Sequence, residues 1–138
     1  MNRWGSALVR FGGFTRPQDL LGAMALEAVY TPAERVRSGA GRTLQHWAGR
    51  LAGKYAVLRL LDLPPTAELL GSVEVLPRPT PACEQSAACL DGHPPAVQLS
   101  GELTARARSG ERIRISLSHT DGHALAVAVA AARLPEDD

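Results

Sequence analysis

Several features that would point away from an ordinary packed domain are scarce in this chain. Cysteine is one of them: only Cys83 and Cys89 occur among 138 residues, so stability must come from a buried core rather than a disulfide framework. His93 follows Cys89 by four residues, but a fourth ligand is not evident and the spacing fits no common zinc pattern. Long apolar runs are also missing. The longest, Ala124 to Ala132, is too short to span a bilayer. Gly12, Gly13 and Arg16 interrupt any apolar stretch near the N-terminus, so no secretory signal is evident and a cytoplasmic protein is expected. There is no excess of one charge sign either: 15 Lys and Arg against 14 Asp and Glu give a formal net charge of +1. That balance argues against a nucleic-acid groove, which needs a clustered basic surface. Lysine itself is nearly absent. Lys54 is the only one, the other basic residues being arginine, a bias expected of high-GC coding. A lysine kept inside a patterned segment is therefore informative.

What is present reads as one domain covering residues 1–138, long enough to bury a core. Its organising stretch is Gly41 to Leu61. There Leu44, Trp47, Ala48, Leu51, Tyr55 and Leu58 recur at three- and four-residue spacing and predict one apolar helical face. Pro64 and Pro65 end that helix. Before it, Trp4 to Phe11 reads as a first strand. Thr15-Arg-Pro-Gln18 reads as a capping box opening a helix to about Ala28. Thr31, Pro32 and Glu34 form a second helix start.

After the long helix, Ser72 to Leu76 alternates as a strand. Pro77 to Pro95 reads as a surface loop, Ala96 to Leu99 as a strand, and Ser100 as the cap of a short helix to about Ala107. Ile113, Ile115 and Leu117 then alternate with polar residues, and Leu125, Val127 and Val129 alternate with alanines. The Asp121-Gly122 turn between them predicts an antiparallel hairpin.

Gly49-Arg-Leu-Ala-Gly-Lys-Tyr-Ala-Val-Leu-Arg59 resembles the central signature of the holo-acyl-carrier-protein synthases, whose pattern there is aromatic-x-x-Lys-Glu-Ala-x-x-Lys. Gly5-Ser6-Ala7-Leu8-Val9 resembles their opening Gly-x-Asp-Leu/Ile-Val strand. Tyr30-Thr-Pro-Ala-Glu34 resembles their Phe-Thr-Pro-x-Glu turn, and Ser116-Leu-Ser-His-Thr120 their Ser-Leu-Ser-His segment. Asp91-Gly-His-Pro94 stands where that family has a Gly-Lys/Arg-Pro turn. The resemblance implies an α+β, 4′-phosphopantetheinyl transferase-like fold with a long helix packed on an antiparallel sheet. It also implies a homotrimer that binds coenzyme A between subunits and acts on an acyl carrier protein.

The departures from the pattern are chemical. The family's aspartate and glutamate hold magnesium, and here their places are taken by Ala7 and Tyr55. Neither supplies the hard carboxylate oxygen that magnesium takes in such sites, so magnesium is not expected. What the resemblance implies for the remaining site is phosphate or cofactor binding by Lys54, Arg59, Arg50, Gly92, Pro94, Ser116, Ser118 and His119. Tyr55 is either a general acid in a repurposed site or a core tyrosine. His119 either contacts a nucleotide phosphate or ribose, or is a polar residue entering a turn. His46 and His123 have no evident partners and are expected in solvent.

The leading expectation is a divergent relative without metal-dependent transfer. It would bind or act on phosphopantetheine or carrier-protein-linked intermediates of polyketide or fatty acid biosynthesis. The alternatives are an active transferase with ligands recruited from elsewhere, such as Glu34 or Asp121, and a non-catalytic subunit of a synthase assembly.

Overall fold

One helix forms the centre of the molecule. In a computed structural model, which describes residues 2–40, 43–78, 94–106 and 111–132, α3 runs from Gln45 to Leu60. The periodicity predicted a helix with a single apolar face. Instead Trp47, Ala48, Arg50 to Lys54, Ala56 to Leu58 and Leu60 are all buried, while Tyr55 is half-buried and Arg59 exposed. A helix buried on nearly every side lies between layers rather than on top of one. It ends before the prolines, with Asp62 at φ 59° in the left-handed region that commonly closes a helix.

One layer is an antiparallel sheet of order β1-β5-β4, formed by Trp4–Arg10, His123–Ala132 and Glu111–His119. Ala7 pairs with Ala126, and Ser118 with Leu125. The predicted hairpin is present, with Thr120 N–H donating to the His123 carbonyl at 2.8 Å across the turn. Small residues let the helix sit close to the sheet. A Cβ on Gly5 would lie 2.3 Å from the Ala56 carbonyl oxygen, so only glycine fits there. Ala7, Ala124, Ala126 and Ala128 complete this inner face.

On the other side of α3 lie the two-stranded ladder of β2 (Val73–Pro77) and β3 (Pro95–Leu99), and the short helices α1 (Leu26–Val29), α2 (Pro32–Gly39) and α4 (Ala67–Gly71). α2 begins as predicted: Glu34 N–H donates to Thr31 Oγ1 at 3.2 Å, and Thr31 N–H donates to Glu34 Oε1 at 2.9 Å. The helix predicted from Thr15 to Ala28 is absent. A 3-10 turn at Pro17–Leu20 and α1 occupy that stretch. Gly22 at φ 60° breaks the helical path between them. Asp19, not a threonine, binds the Thr15 and Arg16 N–H groups, at 3.2 and 3.0 Å. The helix predicted after Ser100 is a 3-10 helix, Gly101–Arg106. Most of the predicted Pro77–Pro95 loop, with Cys83, Cys89, Gly92 and His93, lies outside the described residues.

Candidate functional site

The start of α3, the end of α2 and the ends of β2, β3 and β4 converge on a cleft of about 300 Å³. Arg37, Gln45, His46, Arg50, Ser118 and His119 give it its polar groups, and Gly49, Val75, Pro77, Pro95 and Leu117 its apolar wall. No carboxylate is among these residues. Arg50 is fixed from behind: its Nε donates to the Val75 carbonyl and its Nη1 to Ser38 Oγ, both at 3.0 Å. Such anchoring removes rotamer freedom before any ligand arrives. His46 lies one helical turn before Arg50. Its proton affinity is held below the usual histidine range, first by burial and then by the nearby charges of Arg50, His119 and Arg37. A site of guanidinium and imidazole groups with a hydroxyl at its edge suits an anion, and phosphate above all.

Of the site residues expected from sequence, the fold brings Arg50, Ser118 and His119 into this cleft. Pro94 is exposed and adjoins the cleft residue Pro95. Ser116 pairs with Val127 further along the sheet and does not line the cleft. Gly92 lies outside the described residues. Arg37, Gln45 and His46 were missed, and His46 was expected in open solvent. It is exposed, but at the cleft. Its spacing of four from Arg50 was the available signal, because residues so placed are neighbours on a helix.

Lys54 was expected to grip a phosphate, and the geometry corrects this. Its side chain is fully buried. Its Nζ lies 2.7 Å from Glu34 Oε1 and donates to the Leu70 and Val73 carbonyls at 2.9 and 2.5 Å. An ammonium with three oxygen partners inside the core has no face left for a ligand. Burial lowers its proton affinity, and the Glu34 carboxylate pulls in the opposite direction. Glu34 is committed too. It also accepts from the Val75 N–H at 2.7 Å and is fully buried, so it is no substitute metal ligand. Asp121, the other substitute considered, lies in the hairpin turn beside a separate groove with Phe11 and Phe14.

Tyr55 and Arg59 lie away from the cleft, on the side of α3 that meets β1. Arg59 Nη1 donates to the Ser6 carbonyl at 2.6 Å, covering part of an edge strand that would otherwise be unpaired. Tyr55, one turn earlier, is half-buried, and burial pushes its phenol above the usual range although Arg59 opposes the shift. Neutral at physiological pH, it packs against the core cluster. Ala7 is 4% exposed. Among the described residues, no group of three or more His, Cys, Asp or Glu converges to hold a metal.

This architecture is that of the 4′-phosphopantetheinyl transferase-like α+β proteins, as seen in the holo-acyl-carrier-protein synthases. The chain is similar to the Chronobacterium ammoniagenes ACPS–CoA complex at 24% identity and a TM-score of 0.71, covering 96% of this chain and 98% of that one. Mycobacterium tuberculosis acyl carrier protein synthase matches at 23% and 0.62, covering 94% and 96%. Helicobacter pylori holo-[acyl-carrier-protein] synthase in complex with coenzyme A matches at 22% and 0.63, covering 93% and 99%. These likenesses establish the fold. No protein-family model and no curated protein matches the sequence. Among the described residues, no helix is long and apolar enough to cross a membrane.

Proposed function

We propose that this protein binds coenzyme A, or the phosphopantetheine arm of an acyl carrier protein, in the cleft of Arg37, His46, Arg50 and His119. The observation that carries this reading is the cleft's chemistry: two guanidiniums, two imidazoles and, among the described residues, no carboxylate, in a fold whose solved examples include complexes with coenzyme A. His119 and Ser118 are the groups from the hairpin, and Arg50 is the preorganised cation beneath them.

Magnesium-dependent transfer is not part of the proposal. The positions that the sequence resemblance matches to metal-binding carboxylates hold a buried methyl group at Ala7 and a neutral phenol at Tyr55, and these do not fit a hard divalent cation. Phosphoryl transfer without that ion lacks its main means of charge neutralisation. The role that follows is binding or non-metal chemistry on carrier-protein-linked intermediates of polyketide or fatty acid biosynthesis.

A homotrimer is part of the same proposal. Trp4, Leu8, Leu125 and Val129 are exposed at 61%, 63%, 42% and 38%. Trp4 pairs with Val129 and Leu8 with Leu125, so they form one apolar stripe on the outer face of the sheet. Contiguous exposed apolar surface marks interaction sites.

The test is calorimetric titration with coenzyme A, with and without magnesium, beside mass spectrometry of an apo-carrier protein incubated with both. Magnesium-independent binding and no mass gain are expected. Efficient magnesium-dependent mass gain would overturn the reading.

A further inference from the structure

Two glycines of α3 set its distance to β4. A Cβ on Gly53 would come within 2.6 Å of Ile115 Cδ1, and one on Gly49 within 4.0 Å of Leu117 Cδ1. Helix and strand thus run in matched register with opposed chain directions, four residues of α3 against two of β4. His46 and His119 are the next pair along that register. One lies three residues before Gly49 and the other two after Leu117, about 5 Å and about 7 Å further on. Both line the cleft, and the charge of His119 is among those that act on His46. The cleft therefore holds two imidazoles opposite one another, His46 on the helix and His119 on the strand. Arg37 and Arg50 add permanent positive charge, which disfavours a metal cation between the imidazoles and favours an anion. The wall from β2 and β3, made of Val75, Pro77 and Pro95, carries no charge.

We propose that this cleft hydrolyses the phosphodiester that joins phosphopantetheine to a serine hydroxyl, with His46 as general base and His119 as general acid. The activity rests on the cleft binding phosphopantetheine, the reading above. His46 takes a proton from a water whose oxygen attacks the phosphorus. The bond from phosphorus to the serine Oγ breaks, and His119 donates its proton to that leaving oxygen. The products are free 4′-phosphopantetheine and an unmodified serine, with one water consumed. Arg37 and Arg50 neutralise the charge on the phosphoryl oxygens in the transition state. The leaving group decides between this ester and the diphosphate of coenzyme A. A serine alkoxide leaves poorly without a proton, so an acid opposite the base is matched to it, whereas a phosphate anion leaves without one. In the empty cleft the proton affinity of His46 is depressed, first by burial and then by Arg50, His119 and Arg37. A bound phosphate raises it again, toward the range in which a general base works best near neutral pH.

The test uses two probes: a short peptide bearing phosphopantetheine on its serine, and the 4-nitrophenyl diester of phosphopantetheine, whose leaving group needs no proton. With EDTA present, the full chain should release 4′-phosphopantetheine from the peptide, read as a loss of peptide mass, with a bell-shaped pH profile. His46→Gln should slow both probes about a hundredfold and remove the acidic limb of the profile. His119→Gln should slow the peptide about a hundredfold and remove the alkaline limb, yet slow the nitrophenyl diester by less than about tenfold. Both histidines are exposed, so the thermal melts of the variants should match that of the unmodified chain. Calorimetry with coenzyme A reads the binding separately. Coenzyme A binding without cleavage of the peptide would overturn the hydrolase and leave the binding reading standing. Absence of coenzyme A binding would remove both. Cleavage that EDTA abolishes, or equal slowing of the two probes by His119→Gln, would overturn the assignment of a metal-free acid and base.

Discussion

Glu34 Oε1 and Lys54 Nζ lie 2.7 Å apart with both side chains fully buried, and this pair joins α2, α3, α4 and β2 at one point. The Leu70 carbonyl that Lys54 binds lies in the last turn of α4, where the helix leaves its own acceptors open. Tyr30 closes the same region, its ring 5.6 Å from the Lys54 ammonium and its hydroxyl donating to the Trp47 carbonyl at 2.8 Å.

Removing one member of a buried pair leaves the other charge uncompensated, at a cost of about 3–5 kcal/mol. Lys54→Met is therefore expected to lower unfolding stability by that amount in denaturant titrations. Coenzyme A affinity, measured by calorimetry on the folded protein, should stay within about twofold of the unmodified chain. Unchanged stability with lost binding would instead return Lys54 to the role of a phosphate ligand.

The pH dependence of binding follows from His46. Its proton affinity in the empty cleft is depressed below the ordinary value of 6.5, so it is neutral near physiological pH. A bound phosphate favours the imidazolium, so binding takes up a proton and affinity rises as pH falls through 6.5 and below. The sign for folding is opposite. The unfolded chain protonates first, so the stability contributed by a neutral His46 is full above 6.5 and is lost as pH falls below it. Calorimetry between about pH 6 and 8 in buffers of different ionisation enthalpy should detect the proton uptake. His46→Gln should flatten the profile.

Those elements whose cause is local could be read from the sequence. The hairpin follows from alternation on both sides of Asp121-Gly122, and α2 from the Thr31–Glu34 box. The existence of α3 was clear from its periodicity, but its surroundings were not. Arg50 and Lys54 look like the polar side of an amphipathic helix until Ser38, Glu34 and the carbonyls of β2 and α4 arrive from distant parts of the chain. The same limit hid the cleft. Arg37 closes α2 and Gln45 opens α3, and only the fold sets them beside His119. The break at Gly22 was misread because a glycine inside an apolar pattern does not announce its φ.

The outer sheet stripe predicts self-association. Leu8→Glu combined with Leu125→Lys places opposite charges on directly paired positions of adjacent strands, which a solvent-exposed sheet face tolerates and an apolar interface does not. Light scattering on the unmodified chain should give a trimer, and the double variant a folded monomer with an unchanged circular dichroism spectrum. A monomer from the unmodified chain at micromolar concentration would overturn the assembly.

The last prediction introduces carboxylates at Ala7 and Tyr55. Ala7 points from β1 toward α3 and is nearly inaccessible, so Ala7→Asp alone buries an unpartnered carboxylate and should cost about 3–5 kcal/mol. Tyr55→Glu alone is milder. The side chain is half-buried, and the new glutamate would stand four residues before Arg59, the favourable order for a helical ion pair worth about 0.3–0.5 kcal/mol. The sequence resemblance pairs positions 7 and 55 at one site, where the mutual repulsion of two carboxylates is relieved by a divalent cation. A ligand that binds only the folded state raises its stability by mass action, so the melting temperature of the double variant should climb with added magnesium. The unmodified protein should show no such response. If the cleft positions coenzyme A within reach of that site, the double variant should also gain measurable transfer to an apo-carrier protein, read as an increase in carrier mass that chelation abolishes. A magnesium-dependent rise in the unmodified protein's melting temperature would show that the chain binds magnesium without carboxylates at positions 7 and 55.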